Sequence, residues 1–168
     1  MIRERGPVVL IPAAWALTFA TAIFPGVDPY WIEHMHYFMV LFLTGFTLTS
    51  WKKMAENPVL DIWRKVIAAG ALFTLMGGLS FTFKSYSGAL AWSSIIYWFI
   101  GPGIGLYLSA EHMDEYADIY RKLGIESAVS LIAFILGIFL SMNILTAAAI
   151  VGIAVSQTMS MVIAARLD

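Results

Sequence analysis

Five stretches of the chain contain no Asp, Glu, Lys or Arg: residues 6–27, 37–51, 66–83, 85–110 and 127–165. The charged residues that remain are compressed into the gaps between them. A charge at the centre of a bilayer costs about 2.5–3.5 kcal/mol even on lenient insertion scales. A soluble domain has no reason to exclude charge in this way, because its surface needs it. The pattern predicts a polytopic integral membrane protein. Open sheets cannot satisfy their backbone groups in lipid, so the expected fold class is all-α.

A hydrocarbon core of about 30 Å needs about 20 helical residues. The first four runs each fit one crossing. The last is long enough for two, and Ser141-Met142-Asn143 is its most polar point. Asn there can end one helix in the left-handed conformation, and Thr146 can cap the next. The expectation is six helices, near residues 7–24, 29–54, 58–84, 88–110, 125–142 and 144–166, in one helical-bundle domain. Gly6-Pro7 suits a helix start and Pro25-Gly26 a helix end. Asp28-Pro29 and Asn57-Pro58 each read as a cap followed by a first-turn proline. Gly124 is expected to end a continuation of the fourth helix.

Lys and Arg set orientation. In a six-helix arrangement Arg3, Arg5, Lys52, Lys53, Arg64, Lys65, Arg121, Lys122 and Arg166 share one side, and Lys84 alone takes the other. Both termini are therefore expected in the cytoplasm. Arg3-Glu4-Arg5, an apolar stretch and Ala20-Thr21-Ala22 imitate a cleavable leader. The segment is expected to stay as the first membrane helix.

The chain has no cysteine, which excludes disulfides, thiolate metal sites and iron–sulfur clusters. A net charge of −1 and short basic clusters at helix ends suit an anionic inner leaflet and give no nucleic-acid footprint. The expected surroundings are the lipid bilayer of the cell membrane, with a homo-oligomer or a larger membrane complex as alternatives.

Two segments echo each other. Pro25-Gly26, Tyr30 and Glu33-His34-Met35 recur, with one insertion, as Pro102-Gly103, Tyr107 and Glu111-His112-Met113. Three helices followed by three would then be related as a 3+3 inverted repeat, an arrangement common in secondary transporters.

Chemistry has few places to sit. Gly101-Pro102-Gly103-Ile104-Gly105 interrupts the fourth helix, where proline removes a donor and glycine weakens helicity. Such breaks line substrate paths in membranes, or they act as kinks and close-packing points, the favoured bland reading. Gly45, Gly77 and Gly78 supply small facing surfaces. Gln157 is an amide far from any helix end, amid Ser156, Thr158 and Ser160. It can line a polar path with Gly101, Pro102, Gly103 and Gly105, or hold helices together. Thr44, Thr47 and Thr49 add hydroxyls to the second helix.

Near the outer end of that helix, Tyr30, Glu33, His34, His36 and Tyr37 form a polar cluster in which Glu33, His36 and Tyr37 share a face. A carboxylate beside an imidazole can relay protons, share a metal or bind a quinone-like headgroup. Against this stands an interfacial belt of Tyr and Trp with His34 in water. On the cytoplasmic side Glu111, His112, Asp114, Glu115 and Asp118 read as an acidic helical stripe. It could hold Mg²⁺, or it is a solvated helix end in which Arg121 and Lys122 pair with Asp118. A bis-histidine haem is disfavoured, because His34 and His36 fall outside and His112 inside. Met35, Met39 and Met113 remain weak axial alternatives. No cofactor is expected, with metal and haem left as open alternatives. Membrane-embedded carboxylates and lysines are expected to be absent.

The leading functional expectation is a small transporter or channel for a small solute or ion, with the broken fourth helix on its path. One alternative is a non-catalytic accessory or assembly subunit of a larger membrane complex. The other is a membrane enzyme or redox subunit using the outer or the acidic cluster.

Overall fold

The computed structural model describes residues 12–21, 24 and 26–164. Among them the chain is all helical, with six α-helices and no strand. α1 includes residues 12–21. It is followed by α2 (Pro29–Met54), α3 (Pro58–Thr82), α4 (Ser87–Ser109), α5 (Ala117–Phe139) and α6 (Asn143–Ala164), with short 3-10 turns at Lys84–Tyr86 and Ala110–His112. Gly6-Pro7, Pro25, Arg3, Arg5 and Arg166 lie outside the described residues.

The two Asx-Pro devices form as their chemistry dictates. Asp28 caps α2 by accepting from the Tyr30 amide at 2.9 Å. Asn57 caps α3 by accepting from Val59 at 2.9 Å and Leu60 at 3.2 Å. In both cases the proline occupies the first turn, where its missing N–H has no intrahelical role.

The expected start of the fifth helix, near 125, is wrong. α4 tightens into the 3-10 turn Ala110–His112, and the chain breaks at 113–116. Met113 is extended and Tyr116 adopts the left-handed region at φ 66°. α5 therefore begins at Ala117, and Gly124 lies inside it instead of ending α4. Gly124 packs there: a Cβ on it would fall 2.8 Å from the Gly103 carbonyl oxygen of α4. At the α5–α6 turn the break falls where expected. Ser141, not Asn143, takes the left-handed conformation at φ 54°. Thr146 is no cap, since its Oγ1 donates to the Met142 carbonyl at 3.3 Å.

Each helix packs antiparallel on its sequence neighbour from α2 through α6, and α4 also touches α6. Small residues allow close approach, as in membrane bundles generally. Gly103 meets Ser127 between α4 and α5, and Gly137 meets Thr146 between α5 and α6. Hydroxyls bridge the same seams: Ser156 Oγ donates to the Leu123 carbonyl at 2.8 Å, and Tyr120 Oη to the Ser160 carbonyl at 3.0 Å. Two buried clusters form the core. One gathers Trp15, Phe99, Phe134 and Ile150, and the other Leu106, Tyr120, Leu123 and Ile163.

Four segments are long and apolar enough to cross a membrane: Pro58–Thr82, Lys84–His112, Ala117–Phe139 and Asn143–Ala164. Their outward surface is itself apolar, with Leu72, Ile132, Phe139 and Ile144 all more than half exposed. This is the architecture of a membrane protein. α2 has the length, about 39 Å for its 26 residues at 1.5 Å each. Its histidines and hydroxyls dilute its apolar character.

Candidate functional site

A cavity of about 230 Å³ opens between α1, α2, α3 and α4, in the half of the bundle nearest the α3–α4 connection. α1 contributes Trp15, Thr18 and Thr21, and α2 contributes Met35, His36 and Met39. Thr74, Gly77 and Ser80 come from α3, and Ser94, Ile95 and Trp98 from α4. Among the described residues no lining side chain carries a carboxylate, ammonium or guanidinium. A cavity of about 150 Å³ already holds a benzene-sized ligand.

Its polar groups are mostly spoken for. Trp98 Nε1 donates to Thr74 Oγ1 at 3.0 Å. Thr18 Oγ1 donates to the Ala14 carbonyl at 2.9 Å, and Ser80 Oγ to the Gly77 carbonyl at 2.6 Å. His36 Nδ1 lies 2.8 Å from the Ile32 carbonyl oxygen. A carbonyl only accepts, so Nδ1 carries the hydrogen and Nε2 of the neutral ring is left as an acceptor. That edge of the ring faces Gly77. A Cβ on Gly77 would stand 2.7 Å from His36 Nε2 and 2.7 Å from Ser94 Oγ. An acceptor and a hydroxyl thus converge over a residue whose missing side chain makes the room. Neither atom has a hydrogen-bond partner among the described residues.

Below the cavity lies the proline of α4. Pro102 has no N–H to return to the Trp98 carbonyl four residues back. Gln157 of α6 replaces that donor: its Nε2 donates to the Trp98 carbonyl at 2.8 Å, and its Oε1 accepts from Trp15 Nε1 at 2.9 Å. One buried amide therefore satisfies α4 and pins α1 to α6. The rest of the glycine run is tightly packed. A Cβ on Gly101 would meet the Tyr97 ring at 2.6 Å, and one on Gly105 would meet Val66 at 3.1 Å. Gly101, Pro102, Gly103, Gly105 and Gln157 are not among the residues lining the cavity, which ends at Trp98. Gly103 instead borders an outward, apolar groove between α4 and α5.

The outer cluster divides. Glu33 Oε1 accepts from Tyr37 Oη at 3.3 Å and from Thr82 Oγ1 of α3 at 3.4 Å. His34 is exposed and stacks on Tyr30 at 3.8 Å between ring centres. His36 turns inward to the cavity, away from the carboxylate expected beside it. The acidic group is not a helical stripe. Glu111 and His112 lie in a 3-10 turn, Asp114 and Glu115 in the bend, and Asp118 in the first turn of α5, 3.2 Å from Arg121. Among the described residues no three His, Cys, Asp or Glu side chains converge as a metal site.

Sequence reasoning missed Trp98, Thr74 and Ser94, whose roles appear only once α3 and α4 are in register. The Trp98-to-Pro102 spacing of four was a readable signal, because it names the orphaned carbonyl. It also missed Glu126. The early start of α5 puts this carboxylate in the third turn, facing Gly152 of α6. Ser130 Oγ donates to its Oε1 at 2.6 Å, while Oε2 is buried with no hydrogen-bond partner among the described residues. Glu126, at the very start of the fifth helix expected near 125–142, thus lies well inside α5.

No protein-family model, curated protein or solved structure matches the chain.

Proposed function

We propose that the chain is a small multi-pass protein of the cell membrane that carries a small uncharged solute, with the cavity between α1 and α4 as its binding chamber. The observation behind this reading is the cavity itself. Four helices line it, no charged side chain among the described residues does so, and it ends at Trp98, one turn before a proline. Passage requires the Trp98 indole to release Thr74. Pro102 leaves α4 one backbone hydrogen bond short at this point, and because Gln157 of α6 holds the freed Trp98 carbonyl, the movement requires that side chain to follow or to let go.

The proposed topology has six spans and cytoplasmic termini. Lys52, Lys53, Arg64, Lys65, Arg121 and Lys122 stand at one end of the antiparallel bundle, and Lys84 at the other. That asymmetry supports a cytoplasmic basic face, and it puts the cavity in the outer half. A 3+3 inverted repeat rests on the Glu-His-Met echo alone. Its copies lie in different local structure, since Glu33-His34 is inside α2 and Glu111-His112 is in a 3-10 turn. The proposed mechanism does not depend on it.

The absence of cysteine makes a background-free test available. Ser94→Cys in sealed proteoliposomes should react with a membrane-impermeant thiosulfonate added outside, and more slowly with reagent confined inside. A Ser94→Cys thiol reached from neither side, in preparations where Lys84→Cys reacts from outside, overturns the carrier reading.

A further inference from the structure

The strongest unassigned chemistry is the pair of unfilled hydrogen-bonding atoms over Gly77. In the neutral ring His36 Nε2 is an acceptor, because Nδ1 is committed to the Ile32 carbonyl. Ser94 Oγ, on a residue only 5% exposed, can donate and accept. Both lie 2.7 Å from the point a Gly77 Cβ would occupy. A ligand group that serves both must donate to Nε2 and either donate to Oγ or accept from it, and a single neutral hydroxyl does this. A carbonyl or ether offers nothing to Nε2. A carboxylate or ammonium would enter a space with no counter-charge among its described lining residues.

The rest of the wall selects the body of the ligand. Ile32, Met35, Met39, Ile95 and the faces of Trp15 and Trp98 are apolar and adaptable. The volume of about 230 Å³ exceeds what a benzene-sized molecule needs. We infer that the chamber binds a neutral, ring-sized alcohol or phenol, whose hydroxyl donates to His36 Nε2 and accepts from Ser94 Oγ above Gly77. This rests on the chamber being the binding site of the proposed carrier, and the experiment separates the two.

Trp15 and Trp98 line the cavity, so ligand entry should change intrinsic fluorescence. The protein in nanodiscs is titrated with p-cresol, toluene and anisole, which share a ring and differ in whether they can donate. The expected result is saturable p-cresol binding about five- to tenfold tighter than that of toluene or anisole, the value of one net hydrogen bond of about 1–1.4 kcal/mol. His36→Phe should remove that preference and leave toluene affinity within about twofold, while Gly77→Ala should weaken all three. Saturable binding of all three with equal affinity overturns the hydroxyl assignment and leaves the chamber standing. No saturable binding of any, with near-ultraviolet circular dichroism showing a folded protein, overturns both. Persistence of the p-cresol preference in both His36→Phe and Ser94→Ala also overturns the assignment.

Discussion

Replacing Gln157 with leucine should cost far more than one hydrogen bond, and the excess should depend on a residue that Gln157 reaches only through a carbonyl. Gln157 is 3% exposed, and both its partners lie in the interior of the bundle. A leucine side chain in its place would leave Trp15 Nε1 and the Trp98 carbonyl oxygen without partners. A buried group so orphaned costs about 1–3 kcal/mol, against an average near 0.6 kcal/mol for hydrogen bonds measured between membrane helices. The expected loss for Gln157→Leu is roughly 2–4 kcal/mol. The carbonyl is orphaned only because residue 102 is proline. In a Pro102→Ala background the new amide can bond to Trp98, leaving Trp15 alone unsatisfied. The cost of Gln157→Leu should then fall to about 1–2 kcal/mol, a coupling of at least about 1 kcal/mol. Unfolding in mixed micelles of rising dodecyl sulfate content, followed by far-ultraviolet circular dichroism, measures all four corners of the cycle. An equal cost in both backgrounds would refute the idea that Gln157 substitutes for the missing proline donor.

Three further outcomes are accessible to the same assay. Gly103→Ala should destabilise by about 1–3 kcal/mol through overpacking, because its Cβ would stand 2.8 Å from that of Ser127, and Ser127→Gly should recover part of the loss. Gly152→Ala should destabilise similarly, as the new methyl would crowd Ser130 Oγ and fall 2.5 Å from Glu126 Oε1, and only the double change Glu126→Ala with Ser130→Ala should relieve it. Asn57→Ala should cost about 0.5–2 kcal/mol by uncapping α3, with no change in any ligand titration, since Asn57 lies far from the cavity lining.

What could be read in advance was what depends on near neighbours in sequence. Asp28-Pro29 and Asn57-Pro58 announce helix starts because cap and proline act within one turn. Gly124 misled, since a glycine that ends a helix and a glycine that lets two helices touch look alike until the partner is known. Tyr116 gave no warning either: a bulky residue rarely takes a positive φ, yet it carries the real break. Gln157 was legible as a link between helices, but its partners were not, because they come from α1 and α4. The outer cluster was read as one helical face. The packing of α3 drew Glu33 toward Thr82 and His36 over Gly77, and so separated an apparent catalytic pair.

The bond from Trp15 to Gln157 spans 142 residues of sequence, whereas α2 to α6 lean on their immediate neighbours. Neighbouring contacts can form as each hairpin leaves the ribosome, and distant ones must wait. α1 meets α4 through Trp15 and Phe99, but its tie to Gln157 forms only when α6 is in place. Until then the α1 wall of the cavity lacks this tether. Truncation before Gln157 should leave a bundle of joined hairpins with a loose leading helix, open to proteolysis near Gly26. Fastening the α1 wall of the cavity and adding α6 become the same event.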